Sequence, residues 1–277
     1  MIPEILSCMR CPRCFCKNLD AAEDALSCPS CHARYALRQG VLDMLGSRAG
    51  EVITPFQRLM QAPAVVSIYE KVWRRIGYYL ASSRSFSAEM KTVLDLDSNK
   101  NHSPVLDLAC GTGVFTRPLA RLGNRVVIGL DMSWPMLRRA QRLVERDGLE
   151  NVFYIRATAY SLPFIDETFP YANCCGALHL FDRPEAALQE IRRVLQPKGL
   201  FSVQTTIRPS HSAGIAFFLE RFIRFGFFNA IELDKIIRAH GFDMVRSERH
   251  RISYTFLARC IETRPANMDA PQTREGA

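Results

Sequence analysis

The stretch VLDLACGTG, residues 105–113, constrains the fold of this 277-residue chain more than any other. Its short aliphatic run reads as a buried strand. The two glycines that end it open backbone conformations that other residues rarely adopt. A strand running into such a turn brings main chain close to a ligand. Further strands are predicted at 125–130 (RVVIGL), 152–156 (VFYIR), 172–178 (ANCCGAL) and 200–206 (LFSVQTT). Amphipathic helices fall between them, in TGVFTRPLARL, SWPMLRRAQRLVERDG and PEAALQEIRRVLQP. A helix near 231–240 and strands around 242–249 and 252–261 follow. Strand–helix alternation of this kind predicts an α/β fold: a doubly wound, mostly parallel, seven-stranded Rossmann-like sheet.

The charges around the turn select among nucleotide ligands. A nicotinamide or flavin fingerprint needs a third glycine where this chain has Thr116. Asp107 precedes the turn, and no Lys or Arg follows it until Arg117. A carboxylate there repels a pyrophosphate and suits a ligand with a sulfonium and an ammonium. S-adenosylmethionine is such a ligand. Asp131, at the end of the second strand, is placed to accept both hydroxyls of an adenosine ribose. Its bland alternative is to cap the next helix, although Ser133 stands ready for that role. Met132 is placed to lie against the adenine.

The segment from Val105 to Thr206 resembles the class I S-adenosylmethionine-dependent methyltransferases (a methyltransferase type 11 domain). It is most similar to the branch that includes the ubiquinone and menaquinone C-methyltransferases. VLDLACGTG resembles the cofactor loop and GLDMSWPML the ribose segment. SLPF (161–164), CGALHLF (175–181) and ALQEIRRVLQPKG (187–199) follow in the family's order. The resemblance implies cofactor contacts from Asp107, Ala109, Cys110, Gly111, Gly113, Asp131, Met132, Thr158, Ala159 and Cys175. Two positions depart from the pattern. Thr158 stands where the family often has an acid toward the adenine amino group, leaving its hydroxyl and the Ala159 amide for that task. Phe169-Pro170 replaces the usual Phe-Asp before the fourth strand.

Six of the ten cysteines lie within residues 8–31. CPRC and CPSC give a C-x2-C-x13-C-x2-C array, so Cys11, Cys14, Cys28 and Cys31 are candidate ligands of one structural zinc. Cys8, Cys16 and His32 are spare candidates. The alternative is reduced cysteines in a small core. CPSCHARYALRQGVLDML also resembles zinc-ribbon heads on some methyltransferases, including a ribosomal-RNA guanine methyltransferase family.

Organisation follows: a zinc-ribbon-like head (1–46), a helical linker or cap (47–101), the methyltransferase domain (102–261) and a polar, disordered tail (262–277). The net charge of +8 is spread along the chain and does not point to one nucleic-acid patch. No apolar run is long enough to span a bilayer, and MIPEILSCMR lacks a secretory layout, so a cytoplasmic location is expected. His179, at the rim after the fourth strand, is a candidate general base, with simple packing as the alternative. AFFLERFIRFGFF holds six phenylalanines, Phe217 to Phe228. It reads as a helix packed on the sheet, or as a lid over a greasy acceptor or a peripheral membrane contact. The leading expectation is methyl transfer to a small lipophilic or aromatic acceptor. Its alternatives are an RNA base methyltransferase gripping RNA through Arg10, Arg13, Arg34 and Arg38, and a non-catalytic scaffold.

Overall fold

The computed structural model describes residues 3–45, 58, 62, 65–66, 74–97, 99–209 and 226–262. The head contributes α1 (Pro3–Ser7), β1 (Asp20–Ala21), β2 (Ala25–Ser27), β3 (Arg34–Arg38) and β4 (Val41–Asp43). Two helices follow, α2 (Arg74–Ser82) and α3 (Phe86–Leu96). The α/β part then runs β5 (Val105–Leu108), α4 (Thr116–Ala120), β6 (Val127–Asp131), α5 (Trp134–Arg146), β7 (Val152–Arg156) and β8 (Phe169–Cys175). It ends with α6 (Pro184–Val194), β9 (Leu195–Thr206), α7 (Ala230–Ala239), β10 (Phe242–His250) and β11 (Ser253–Cys260).

The sheet order is β1-β2-β3-β4-β7-β6-β5-β8-β9-β11-β10. Strands β7, β6, β5, β8 and β9 are parallel neighbours, and β11 lies antiparallel between β9 and β10. These are the seven strands expected from sequence. The sheet nevertheless has eleven, because β4 pairs in parallel with β7 and carries β3, β2 and β1 beyond it. The head's strands thus extend the sheet. Among the described residues, no helix is long and apolar enough to cross a membrane.

Every residue of β5 is buried, as a central parallel strand requires. Its pleat sends Leu106 and Leu108 to one face with Ile128, Leu130 and Ile155, and Val105 to the other with Val127 and Tyr171. The first face also holds Met9, Cys11, Leu26, Tyr35, Leu42 and Met44 of the head. Helix α5 covers the second face, burying Leu137, Ala140 and Val144 at helical spacing. At the opposite end of the sheet from the glycine turn, Arg125 is fully buried and donates to Asp97 Oδ2 at 2.8 Å. His102 meets the other Asp97 oxygen at 2.9 Å.

Strand β8 starts earlier than the sequence suggested. Pro170 lies inside it, at a register shift between Phe169 and Tyr171. A bulge tolerates the missing N–H where a regular ladder would not. Of the Phe-rich stretch, Phe217 to Phe225 lie outside the described residues, while Phe228 bridges to Ile207 beside β9. The boundary near residue 46 and the tail beyond 262 also lie outside them.

Candidate functional site

Strand order reverses around β5, whose neighbours β6 and β8 have crossovers running in opposite directions. In an open α/β sheet, ligands bind beyond the carboxyl ends at such a point. The glycine turn stands there. Ala109, Gly111 and Gly113 all have positive φ, at 54°, 57° and 75°, so the chain curls tightly. The two glycines differ in what surrounds them. A Cβ on Gly113 would lie 2.2 Å from the Tyr154 hydroxyl, whereas one on Gly111 would meet nothing within 4 Å. Gly113 lets the turn pack on the sheet, and Gly111 leaves a surface open to a ligand.

Both acids flank this turn. Asp107 is 2% exposed. It accepts from Thr116 Oγ1 at 2.5 Å and from Asn173 Nδ2 at 2.6 Å. Burial raises its carboxyl to about 6, against the pull of these two hydrogen bonds and of the Arg74 charge. Asp131 accepts from the Gly111 amide and from the Ser133 amide, both at 2.8 Å. Burial raises its pKa as well, opposed by those amides. Ser133 makes no side-chain cap on α5, so Asp131 itself serves the Ser133 N–H that opens the helix. Asp131 holds the residue before the helix and ties down the turn, keeping further lone pairs for a ligand.

The remaining expected residues end or follow the parallel strands β5 to β8. Cys110 and Cys175 are buried thiols, both raised in pKa chiefly by burial. Arg156 Nε holds the Met132 carbonyl at 3.0 Å. Thr158 Oγ1 accepts from the Tyr160 amide at 3.1 Å, and its proton stays available for donation. Ala159 packs partly buried beside the core. His179 lies in a single 3-10 turn, Leu178–Leu180, with Nδ1 3.3 Å from Thr205 Oγ1. Burial, helped by the Arg74 charge, pushes its pKa down to about 3. The ring is neutral at physiological pH and a weak proton acceptor there.

Arg74 was not foreseen. From α2 it reaches the crevice, 7% exposed, and donates to the Cys175 carbonyl and to Tyr78 Oη, each at 3.2 Å. Its guanidinium lies 5.2 Å over the Phe115 ring. The crevice therefore carries a cation as well as two acids, from a residue that precedes the turn by more than thirty positions. Nothing in the sequence near Arg74 resembles a motif.

The four expected knuckle cysteines converge. Their Sγ atoms all lie within 4.8 Å of one another, with Cys11–Cys31 at 3.6 Å and Cys14–Cys28 at 3.4 Å. A tetrahedral zinc with bonds of about 2.3 Å needs sulfurs about 3.8 Å apart. The two knuckles share one shape. Phe15 and His32 each follow the second cysteine at positive φ, and each donates its amide to the carbonyl of the first. Cys16 bonds instead to the Asn18 carbonyl, and the spare candidates stay outside the cluster.

Residues 105–199 match the family described as "Methyltransferase domain". The chain is 28% identical over 238 residues to an uncharacterized chloroplastic methyltransferase of Arabidopsis thaliana, covering 78% of this chain and 65% of that protein. It is 36% identical over 133 residues to the demethylmenaquinone methyltransferase of Lactiplantibacillus plantarum, covering 47% and 55%. The chain thus spans less than two thirds of each relative. The crystal structure of a SAM-dependent methyltransferase from Aquifex aeolicus superposes with a TM-score of 0.58 at 18% identity, covering 72% of this chain and 98% of that one. With the strand order and glycine turn above, these matches give the chain a methyltransferase domain in the class I S-adenosylmethionine-dependent methyltransferase fold.

Proposed function

We propose that this chain transfers a methyl group from S-adenosylmethionine to a small lipophilic or aromatic acceptor. The observation that carries the proposal is the pairing of Asp107 and Asp131 on adjacent strand ends around a turn left open at Gly111. When bound, S-adenosylmethionine supplies a methyl group activated by its sulfonium. Asp131 accepts from the ribose hydroxyls, and Met132, Thr158 and Ala159 border the adenine. Asp107, ionised above about pH 6, favours the cationic end. Arg74 matches the carboxylate at that same end, so a zwitterionic amino-acid moiety meets one charge of each sign. Neutral His179 packs at the acceptor rim. Alignment of donor and acceptor supplies the rate, without need of a strong base.

Zinc fits the cysteine cluster, with Cys11, Cys14, Cys28 and Cys31 as four ligands of a closed structural site. An RNA-gripping head is less well supported, because Arg10 is engaged with Asp166 and Glu190 and Arg34 with Asp24. Similarity to a quinone methyltransferase supports a lipophilic acceptor. The test supplies the chain and tritiated-methyl donor to fractionated cell extract. Label in organic-soluble metabolites is the expected outcome. Label confined to RNA would replace the small acceptor by RNA, and a folded chain that neither labels nor binds donor would be a scaffold.

A further inference from the structure

The head meets the α/β part along the adenosine side of the crevice, through two separate paths. The first runs from the cluster's own knuckle. Arg10, beside Cys11, donates its amide to the Pro163 carbonyl at 3.0 Å. The Cys8 carbonyl accepts from the Ile165 amide at 2.8 Å, and Ser161 Oγ reaches the Pro12 carbonyl at 3.5 Å. These bonds fasten the segment that follows Thr158 and Ala159. The second path runs through the hairpin. Cys11 Sγ and Tyr35 Oη are 2.9 Å apart, which ties the cluster to β3 and hence to β4. At the end of β4, Asp43 Oδ2 accepts from Arg156 Nη1 at 3.1 Å. Arg156 Nε in turn holds the Met132 carbonyl, the peptide next to Asp131. The Met44 amide adds a bond to the Arg156 carbonyl at 2.8 Å.

Most of the head's buried side chains, Met9, Leu26, Tyr35 and Leu42 among them, belong to the same cluster as Leu106, Ile128 and Phe164, while Val41 packs with Val127 on the other face. The two knuckle loops around the four cysteines are the part of the head whose shape a bound metal sets. Arg193 and Glu190 of α6 also hold the 162–166 segment, at Leu162, Phe164 and Asp166, and Arg10 of the head joins them, so the head's separate influence is greatest at Met132.

We infer that the cysteine-knuckle head positions the adenosine half of the donor through Asp43 and Arg156, so that metal occupancy and donor affinity are linked. The inference rests on the crevice being the donor site and on the four thiols holding zinc. Linkage is reciprocal: if zinc tightens donor binding, donor must tighten zinc by the same factor. Asp43 and Arg156 are positioning residues here, acting through the Met132 peptide.

The experiment uses the full chain loaded with zinc and S-adenosylhomocysteine as probe. Zinc release to a chromogenic chelator is followed with and without saturating probe, and probe affinity is measured by calorimetry. Release is expected to slow at least about fivefold with probe bound, the lower end of ordinary coupling. In Asp43→Asn, zinc content stays that of the wild type while probe affinity falls about fivefold or more. The affinity for 5′-methylthioadenosine, which lacks the amino-acid end, falls by the same factor. An unchanged release rate, together with equal affinities in wild type and Asp43→Asn, overturns the inference and leaves the donor site standing. If the zinc-loaded wild type binds no probe at all, the donor reading fails and takes this inference with it.

Discussion

Replacing Asp107 with Asn removes a negative charge from the centre of the crevice and leaves a side chain of nearly the same shape. The wild-type carboxyl is raised from 3.8 to about 6 by burial. That shift corresponds to about 3 kcal/mol spent in holding it ionised at neutral pH. Asn escapes this cost, but both bonds, to Thr116 and to Asn173, lose their charge assistance, worth about 0.5–1 kcal/mol each. The variant should therefore be about 1–2 kcal/mol more stable at pH 7.5, measured by urea denaturation. The pH dependence has a definite sign. Native Asp107 takes up its proton near pH 6, above the unfolded value, so wild-type stability rises as pH falls from 6 toward 4. The advantage of Asn should shrink over that window and vanish near pH 4. Affinity for S-adenosylhomocysteine should fall at least about tenfold at pH 7.5, because the charge facing the ammonium is gone. A variant destabilised equally at both pH values, with donor affinity intact, would refute the role given to this carboxylate.

The two glycines of the turn should part company. Gly113→Ala meets the Tyr154 hydroxyl and should unfold the chain at markedly lower urea, while Gly111→Ala costs about 1–2 kcal/mol of backbone strain and chiefly abolishes donor binding in calorimetry. Arg74→Met keeps the apolar stem of the side chain. It should weaken S-adenosylhomocysteine at least about tenfold and leave 5′-methylthioadenosine, which has no carboxylate, within about twofold. Asp97→Ala strands the fully buried Arg125 guanidinium and should cost about 3–5 kcal/mol in chemical denaturation, with donor affinity per folded molecule unchanged.

The central strands and their turn were legible because each is a local signal: an aliphatic run of strand length, then glycines at the bend. The cysteine array was legible for the same reason, since knuckle spacing is a short-range property. What escaped was tertiary. YALRQGVLDML at the end of the head reads as strand and holds β3 and β4, but their place beside β7 depends on a pairing across more than a hundred residues, and β1 and β2 run only two and three residues. Pro170 reads as lying before the fourth strand, and only the bulge beside it lets the strand begin at Phe169. Arg74 sits in a stretch of mixed basic and apolar residues, and only folding brings it to the Cys175 carbonyl. Thr116 had counted merely as a missing glycine, yet it is a hydrogen-bond partner of Asp107.

The most direct test is a calorimetric titration of the folded chain with S-adenosylhomocysteine, run beside a nicotinamide dinucleotide and repeated on Asp131→Ala. One saturable site for the sulphur nucleoside is expected, with no heat from the dinucleotide and at least about a tenfold loss in the variant. Silence from the nucleoside, or preference for the dinucleotide, would contradict the account at its root.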